Sequence, residues 1–120
     1  MHYDQKLASR IREALASQKK LEEKTMFRGM CFMVNGKMCI CVNPDEIMVR
    51  VGPDEYGTAL EKPGARPMIH NGKTMTGFVF VGPEGYKGKK NFDYWINAAL
   101  AFNKLAKASK KKAKSTRPKP

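Results

Sequence analysis

Residues 25–52 read TMFRGMCFMVNGKMCICVNPDEIMVRVG, three short apolar runs joined by tight polar turns. The first two runs meet at Val34-Asn35-Gly36-Lys37. Asn-Gly between apolar runs is the strongest short-range signal of a β-hairpin. A type I′ turn needs positive φ at both central residues, which Asn tolerates and Gly adopts freely. A two-residue loop then sets the register: Val34 faces Lys37, Met33 faces Met38, Phe32 faces Cys39, Cys31 faces Ile40 and Met30 faces Cys41. A third strand over residues 47–51 returns through Asn43-Pro44-Asp45-Glu46, where Pro and Asp supply turn chemistry.

Upstream, Asp4 is placed to cap a helix in which Leu7, Ala8, Ile11, Ala14 and Leu15 recur at helical spacing, ending near Gln18. Lys19, Lys20, Glu22, Glu23 and Lys24 then read as a charged connector into the hairpin. Downstream, Gly52-Pro53-Asp54-Glu55 opens a short second helix with Tyr56, Ala59 and Leu60 inward, and Pro63-Gly64 stops it. A second hairpin follows, residues 67–70 and 74–81 flanking Asn71-Gly72-Lys73, with Met68 facing Met75 and Ile69 facing Thr74. Residues 82–90 are a Gly- and Lys-rich loop, and Asn91 is placed to cap a last helix with Phe92, Trp95, Ile96, Ala99, Leu100 and Phe102 on a broad apolar face. The order α-β-β-β-α-β-β-α predicts an α+β domain of two layers, an antiparallel sheet packed against helices. It spans residues 1–105, followed by a basic tail, 106–120, that lacks large apolar residues and is expected to be disordered.

The segments Thr25-Met26-Phe27-Arg28-Gly29-Met30-Cys31-Phe32, Val34-Asn35-Gly36-Lys37-Met38, Met48-Val49-Arg50-Val51-Gly52 and Pro63-Gly64-Ala65-Arg66-Pro67-Met68 resemble the N-terminal domain of TfoX (Sxy-like) proteins, linked to natural competence in bacteria. The likeness runs from about Tyr3 to Leu105. It implies the same two-layer fold and a role in competence or transcription-related regulation. The second, C-terminal domain of the competence regulators is not expected in a chain of this length.

With 120 residues the chain is expected to bury one core. The sequence has no long apolar run and no leader pattern, so it is expected to be cytoplasmic, with no membrane contact. Three cysteines, an odd count, argue against a closed disulfide framework and fit a reducing compartment. The net charge of +12 is concentrated at one end. Lys104, Lys107, Lys110, Lys111, Lys112, Lys114, Arg117 and Lys119 are unopposed by any acid, which leaves 15 basic against 11 acidic side chains, a net of +4, in the first 103 residues. These eight cations suit sequence-indifferent attraction to DNA or RNA phosphates.

In the expected register Cys39 and Cys41 share a face, with Cys31 on the other alongside Met33, Met38 and Ile40. The cysteines therefore read as buried small hydrophobes or a redox-sensing thiol ahead of a metal set, and no cofactor is expected. Gly82, Gly85 and Gly88 with Lys89 and Lys90 match no phosphate-binding motif and read as a solvated, flexible loop. Neither His2 nor His70 sits in a nucleophile signature, and the paired carboxylates fall at turns and helix starts. Both faces of the first hairpin are apolar, so the face without helices is expected to be a self-association or protein-docking surface, or else to be covered by loops or the end of a helix. Met30, Phe32, Met33, Met38 and Arg50 are the candidate protein-interface residues, with Arg50 open to a solvated reading as well. The functional expectation is a non-enzymatic regulatory or adaptor domain acting through protein contact, a homodimer being one form of it. A tail-driven nucleic-acid binder is the alternative, and an unrecognised enzyme the third.

Overall fold

The computed structural model describes residues 4–18, 20–26 and 29–106. Its elements are α1 (Gln5–Ala14), β1 (Leu21–Met26), β2 (Gly29–Val34), β3 (Lys37–Val42), β4 (Ile47–Arg50), α2 (Pro53–Leu60), β5 (Ala65–His70), β6 (Lys73–Val81) and α3 (Lys89–Asn103). The six strands form one antiparallel sheet in the order β1-β2-β3-β4-β6-β5. The helices pack their apolar sides on one face of it, where Leu7, Ile11, Phe32, Ile40, Val49, Val79, Trp95 and Ile96 form a single buried core. The α+β, two-layer class expected from the sequence is the fold observed.

Local chemistry accounts for most of the framework. Asp4 caps α1 by accepting from the Leu7 N–H at 3.1 Å. Both Asn-Gly pairs form tight turns with positive φ, Asn35 at 55° and Gly36 at 77°, Asn71 at 52° and Gly72 at 77°. Pro53 opens α2 with Asp54 and Glu55 in its first turn. Helix α3 starts at Lys89 with Gly88 at its cap, three residues before the expected cap Asn91.

Three expectations are corrected. From Leu21 onward the charged connector is the edge strand β1, paired along its length with β2. An edge strand has only one neighbour, and charge on it discourages pairing with other chains, so Glu22, Glu23 and Lys24 are compatible with a strand. Arg12 of α1 anchors Glu23 at 2.6 Å and 2.7 Å, and this hydrogen bond holds the Glu23 carboxyl below its ordinary value.

The second correction concerns the β2–β3 register. Val34 faces Lys37 and Met33 faces Met38 as expected, but a bulge beyond Met33 then brings Phe32 opposite Ile40, Cys31 opposite Cys41 and Met30 opposite Val42. Strict alternation would turn Ile40 and Val42 away from the helices and Cys41 toward them. The bulge instead buries Cys39, Ile40 and Val42 in the helix-covered core. Two branched aliphatics gain about 1.5–3 kcal/mol each on burial, which outweighs roughly 1 kcal/mol for a disturbed ladder hydrogen bond.

The third correction follows from the second. Cys31 and Cys41 lie directly across the two strands, Cα atoms 3.9 Å apart, and form a disulfide, while Cys39 stays free and buried on the opposite face. The odd count argues against a disulfide, and the Cys31–Cys41 link overturns that expectation, with Cys39 the cysteine left over.

Candidate interaction surfaces

The strand pairings align one residue from every strand into a row across the helix-free face: Lys24, Cys31, Cys41, Met48, Phe80 and Arg66. Beside it lie Met33 paired with Met38, and Arg50 paired with Phe78. Cys31, Met33, Cys41 and Met48 are buried, sheltered by the half-buried Met38, Met68, Phe78 and Phe80. Small residues at the centre of a pleated face are readily covered by longer neighbours, so this face closes over its own sulfur atoms and presents rings and thioethers at its rim. Guanidinium groups cover the rings. The Arg50 Cζ lies 5.6 Å from the Phe78 centroid and 5.4 Å from that of Phe102, and the Arg66 Cζ lies 5.2 Å from that of Phe80. Arg66 also pairs with Glu46.

These placements divide the interface residues expected from sequence. Met30 (4 % exposed) and Phe32 (0 %) lie in the helix-covered core, where a partner does not reach them. Met33, Met38 and Arg50 belong to the helix-free face and its border. Phe78, Phe80, Met68 and Arg66 join them, residues that sequence reasoning missed because their neighbours come from distant strands. In the basic tail Lys104 is exposed at the end of α3, and Lys107, Lys110, Lys111, Lys112, Lys114, Arg117 and Lys119 lie outside the described residues.

A second surface lies on the helix layer. An open groove of about 430 Å³ separates the start of α2 from the second half of α3, with Val51, Pro53, Ala98, Ala101, Phe102 and Leu105 among its lining. Leu105, 75 % exposed, stands at its edge. Asp54 and Glu55 flank it, and the Tyr94 hydroxyl donates to Glu55. Burial and then this bond raise Tyr94 well above the ordinary tyrosine range, so it stays a protonated donor at neutral pH. A third hollow, of about 390 Å³ beside α1, mixes Asp4, Lys6, Asp45 and Lys87 with Arg10. Arg10 is committed: it donates to the Tyr86 carbonyl at 2.7 Å and covers the Phe92 ring at 3.9 Å.

The glycine-rich segment is packed at Gly85 and Tyr86 and exposed at Lys87 and Gly88. Pro63 and Gly85 are so close that a Cβ on Gly85 would fall 2.3 Å from the Pro63 carbonyl oxygen, and the Gly85 carbonyl accepts from Trp95 Nε1 at 2.9 Å. Gly85 therefore serves close packing under α3, whereas Gly88 is open, with nothing within 4 Å of a Cβ there. Among thiols, burial pushes Cys39 up to about 12, Arg50 pulling weakly the other way, and Cys31 and Cys41 are linked. Among the described residues no group of three or more His, Cys, Asp or Glu converges as a metal site, and no helix is long and apolar enough to cross a membrane.

No curated protein matches the sequence. The crystal structure of a protein from Pseudomonas syringae has a similar fold, with a TM-score of 0.56 at 17 % identity over 79 % of this chain and 97 % of that one. The family model of the TfoX N-terminal domain matches residues 13–103, from the last turn of α1 to the end of α3. That span holds the whole sheet and, Leu105 apart, the lining of the groove, and the chain belongs to the TfoX N-terminal domain family.

Proposed function

We propose that the chain is a non-enzymatic regulatory or adaptor domain, competence- or transcription-related like the family it belongs to, and that it acts through protein contact. The observation that carries this reading is the α2–α3 groove, an apolar trough on the helix layer with the exposed Leu105 at its edge. An apolar trough flanked by carboxylates suits an apolar side chain next to a cation, presented by a partner protein or by a second copy. The non-enzymatic part is supported by the state of the groups that would do chemistry. Cys39 is an unreactive buried thiol, Cys31 and Cys41 are cross-linked, and Tyr94 is held protonated against Glu55.

Ala101→Arg tests the reading, because Ala101 is exposed in the groove and the new side chain fills it without entering the core. Affinity capture from the native cell extract, paired with sedimentation across a concentration series, is expected to show a partner or self-association that the variant loses. An unchanged set of captured proteins and unchanged sedimentation in the variant contradict it. A second reading, sequence-indifferent nucleic-acid binding by the tail, draws support from the eight unopposed cations beyond residue 103.

A further inference from the structure

In a two-layer fold the sheet face without helices is ordinarily polar, yet β6 sends Phe78 and Phe80 to that face, two residues apart and roughly 6.7 Å along the strand. Neither ring is needed for the helix-covered core, which is complete without them. Each has a guanidinium over it, Arg50 from β4 over Phe78 and Arg66 from β5 over Phe80. Arg50 makes no ion pair among the described residues. Lys24 adds a cation at the far end of the same row, and the acids on this side are Glu22 at the edge strand and Glu46, which Arg66 engages.

We infer that this face binds single-stranded nucleic acid, Phe78 and Phe80 stacking two successive bases while Arg50 and Arg66 meet the phosphates. The inference goes beyond the groove-based reading and turns on Phe78 and Phe80, which do not line the groove, so the failure of one is distinguishable from the failure of the other. Aromatic rings on a β-sheet face stack splayed bases and take any sequence, because every base has a π-face, and the half-buried Phe78 and Phe80 offer theirs once the guanidinium groups move aside. A duplex keeps its bases inside the stack and leaves such rings unused. Without ligand the guanidinium groups occupy the ring faces; a base displaces them outward, toward the backbone that carries the negative charge. The cations of the tail add attraction without choosing between single strand and duplex.

The test is fluorescence anisotropy of labelled oligothymidylate, oligouridylate and a duplex of equal length, using the full chain and its Phe78→Leu/Phe80→Leu variant near physiological salt. The expected result is a loss of roughly tenfold or more in single-strand affinity with duplex affinity unchanged. Equal single-strand affinity in a folded variant, or no single-strand binding by the parent chain, overturns the inference. Should the variant fail to fold, methyl-labelled methionine spectra of the parent decide. Oligothymidylate is expected to shift Met38 and Met68 on this face and to leave the core Met30 in place. Binding that leaves Met38 and Met68 unmoved assigns the affinity to the tail alone and overturns it.

Discussion

Gly85→Ala is expected to destabilise the fold by about 3 kcal/mol, although the change adds a single methyl group in a segment that reads as a loop. The new Cβ would sit 2.3 Å from the Pro63 carbonyl oxygen and 2.4 Å from Val81 Cγ1. Ordinary contacts there need about 1 Å more, and both obstacles are part of the framework: backbone after α2 and a core residue of β6. The backbone of residue 85 has to withdraw, and its carbonyl withdraws from Trp95 Nε1 with it. Overpacking of this kind costs about 1–3 kcal/mol, and a strained buried hydrogen bond adds to it. Near the melting point that corresponds to a fall of roughly 12 °C, at about 4 °C per kcal/mol for a domain of this size. Trp95 is the single tryptophan, so its emission during urea unfolding reports both the midpoint and the wetting of its indole. Gly88→Ser in the same segment is the control. Nothing lies within 4 Å of a Cβ there, and its backbone at φ −82° and ψ 149° is that of a helix cap lacking a side-chain bond. Serine there is expected to be neutral or stabilising by a few tenths of a kcal/mol. A Gly85→Ala protein that unfolds within 0.5 kcal/mol of the parent, on the order of an inconsequential surface change, refutes the packed reading of this loop.

Two further outcomes follow from the cysteines. Opening the Cys31–Cys41 link, which closes a separation of 10 residues, is expected to cost about 2.7 kcal/mol through the greater freedom of the unfolded chain. Urea midpoints should therefore fall on adding reductant, and Cys31→Ala/Cys41→Ala should not respond to it. Cys39, held near 12 against an ordinary 9.0, stays protonated in the fold while the unfolded thiol ionises. The unfolded state therefore binds fewer protons above pH 9, and stability falls by roughly 1.4 kcal/mol per pH unit until the folded thiol also ionises near 12. The parent-minus-Cys39→Ala difference in urea midpoint isolates this slope, and a flat difference between pH 9 and 11 contradicts the burial of Cys39.

What could be read from the sequence was what local chemistry decides. Asn35-Gly36 and Asn71-Gly72 specify their turns whatever surrounds them, and Asp4 and Pro53 mark helix starts for the same reason. The bulge in β3 was hidden because it settles a contest for core space among Cys39, Ile40, Cys41 and Val42, and alternation alone assigns them the wrong faces. β1 was hidden because an edge strand tolerates the charges that elsewhere mark a linker. Gly85 and Gly88 look alike in the sequence, and only the approach of Pro63 separates a packed glycine from a free one. The candidate surfaces were the least legible. The order β4-β6-β5 sets Phe78 beside Arg50 and Phe80 beside Arg66, and the groove arises where α2 meets α3. Both depend on contacts between residues tens of positions apart.

The assignment of residues to the two faces of the sheet rests on the β2–β3 bulge, and disulfide mapping reads that bulge directly. The purified full chain is equilibrated with oxidised glutathione, unfolded in denaturant without reductant in the presence of the alkylating agent, digested with trypsin and sequenced by mass spectrometry. Cleavage after Arg28, Lys37 and Arg50 leaves Cys31 on one peptide and Cys39 with Cys41 on another. The bulged register predicts these two peptides joined through Cys31 and Cys41, with the alkyl group on Cys39 alone. Three alkylated cysteines, or a link from Cys31 to Cys39, would contradict the register and with it the separation of the two faces.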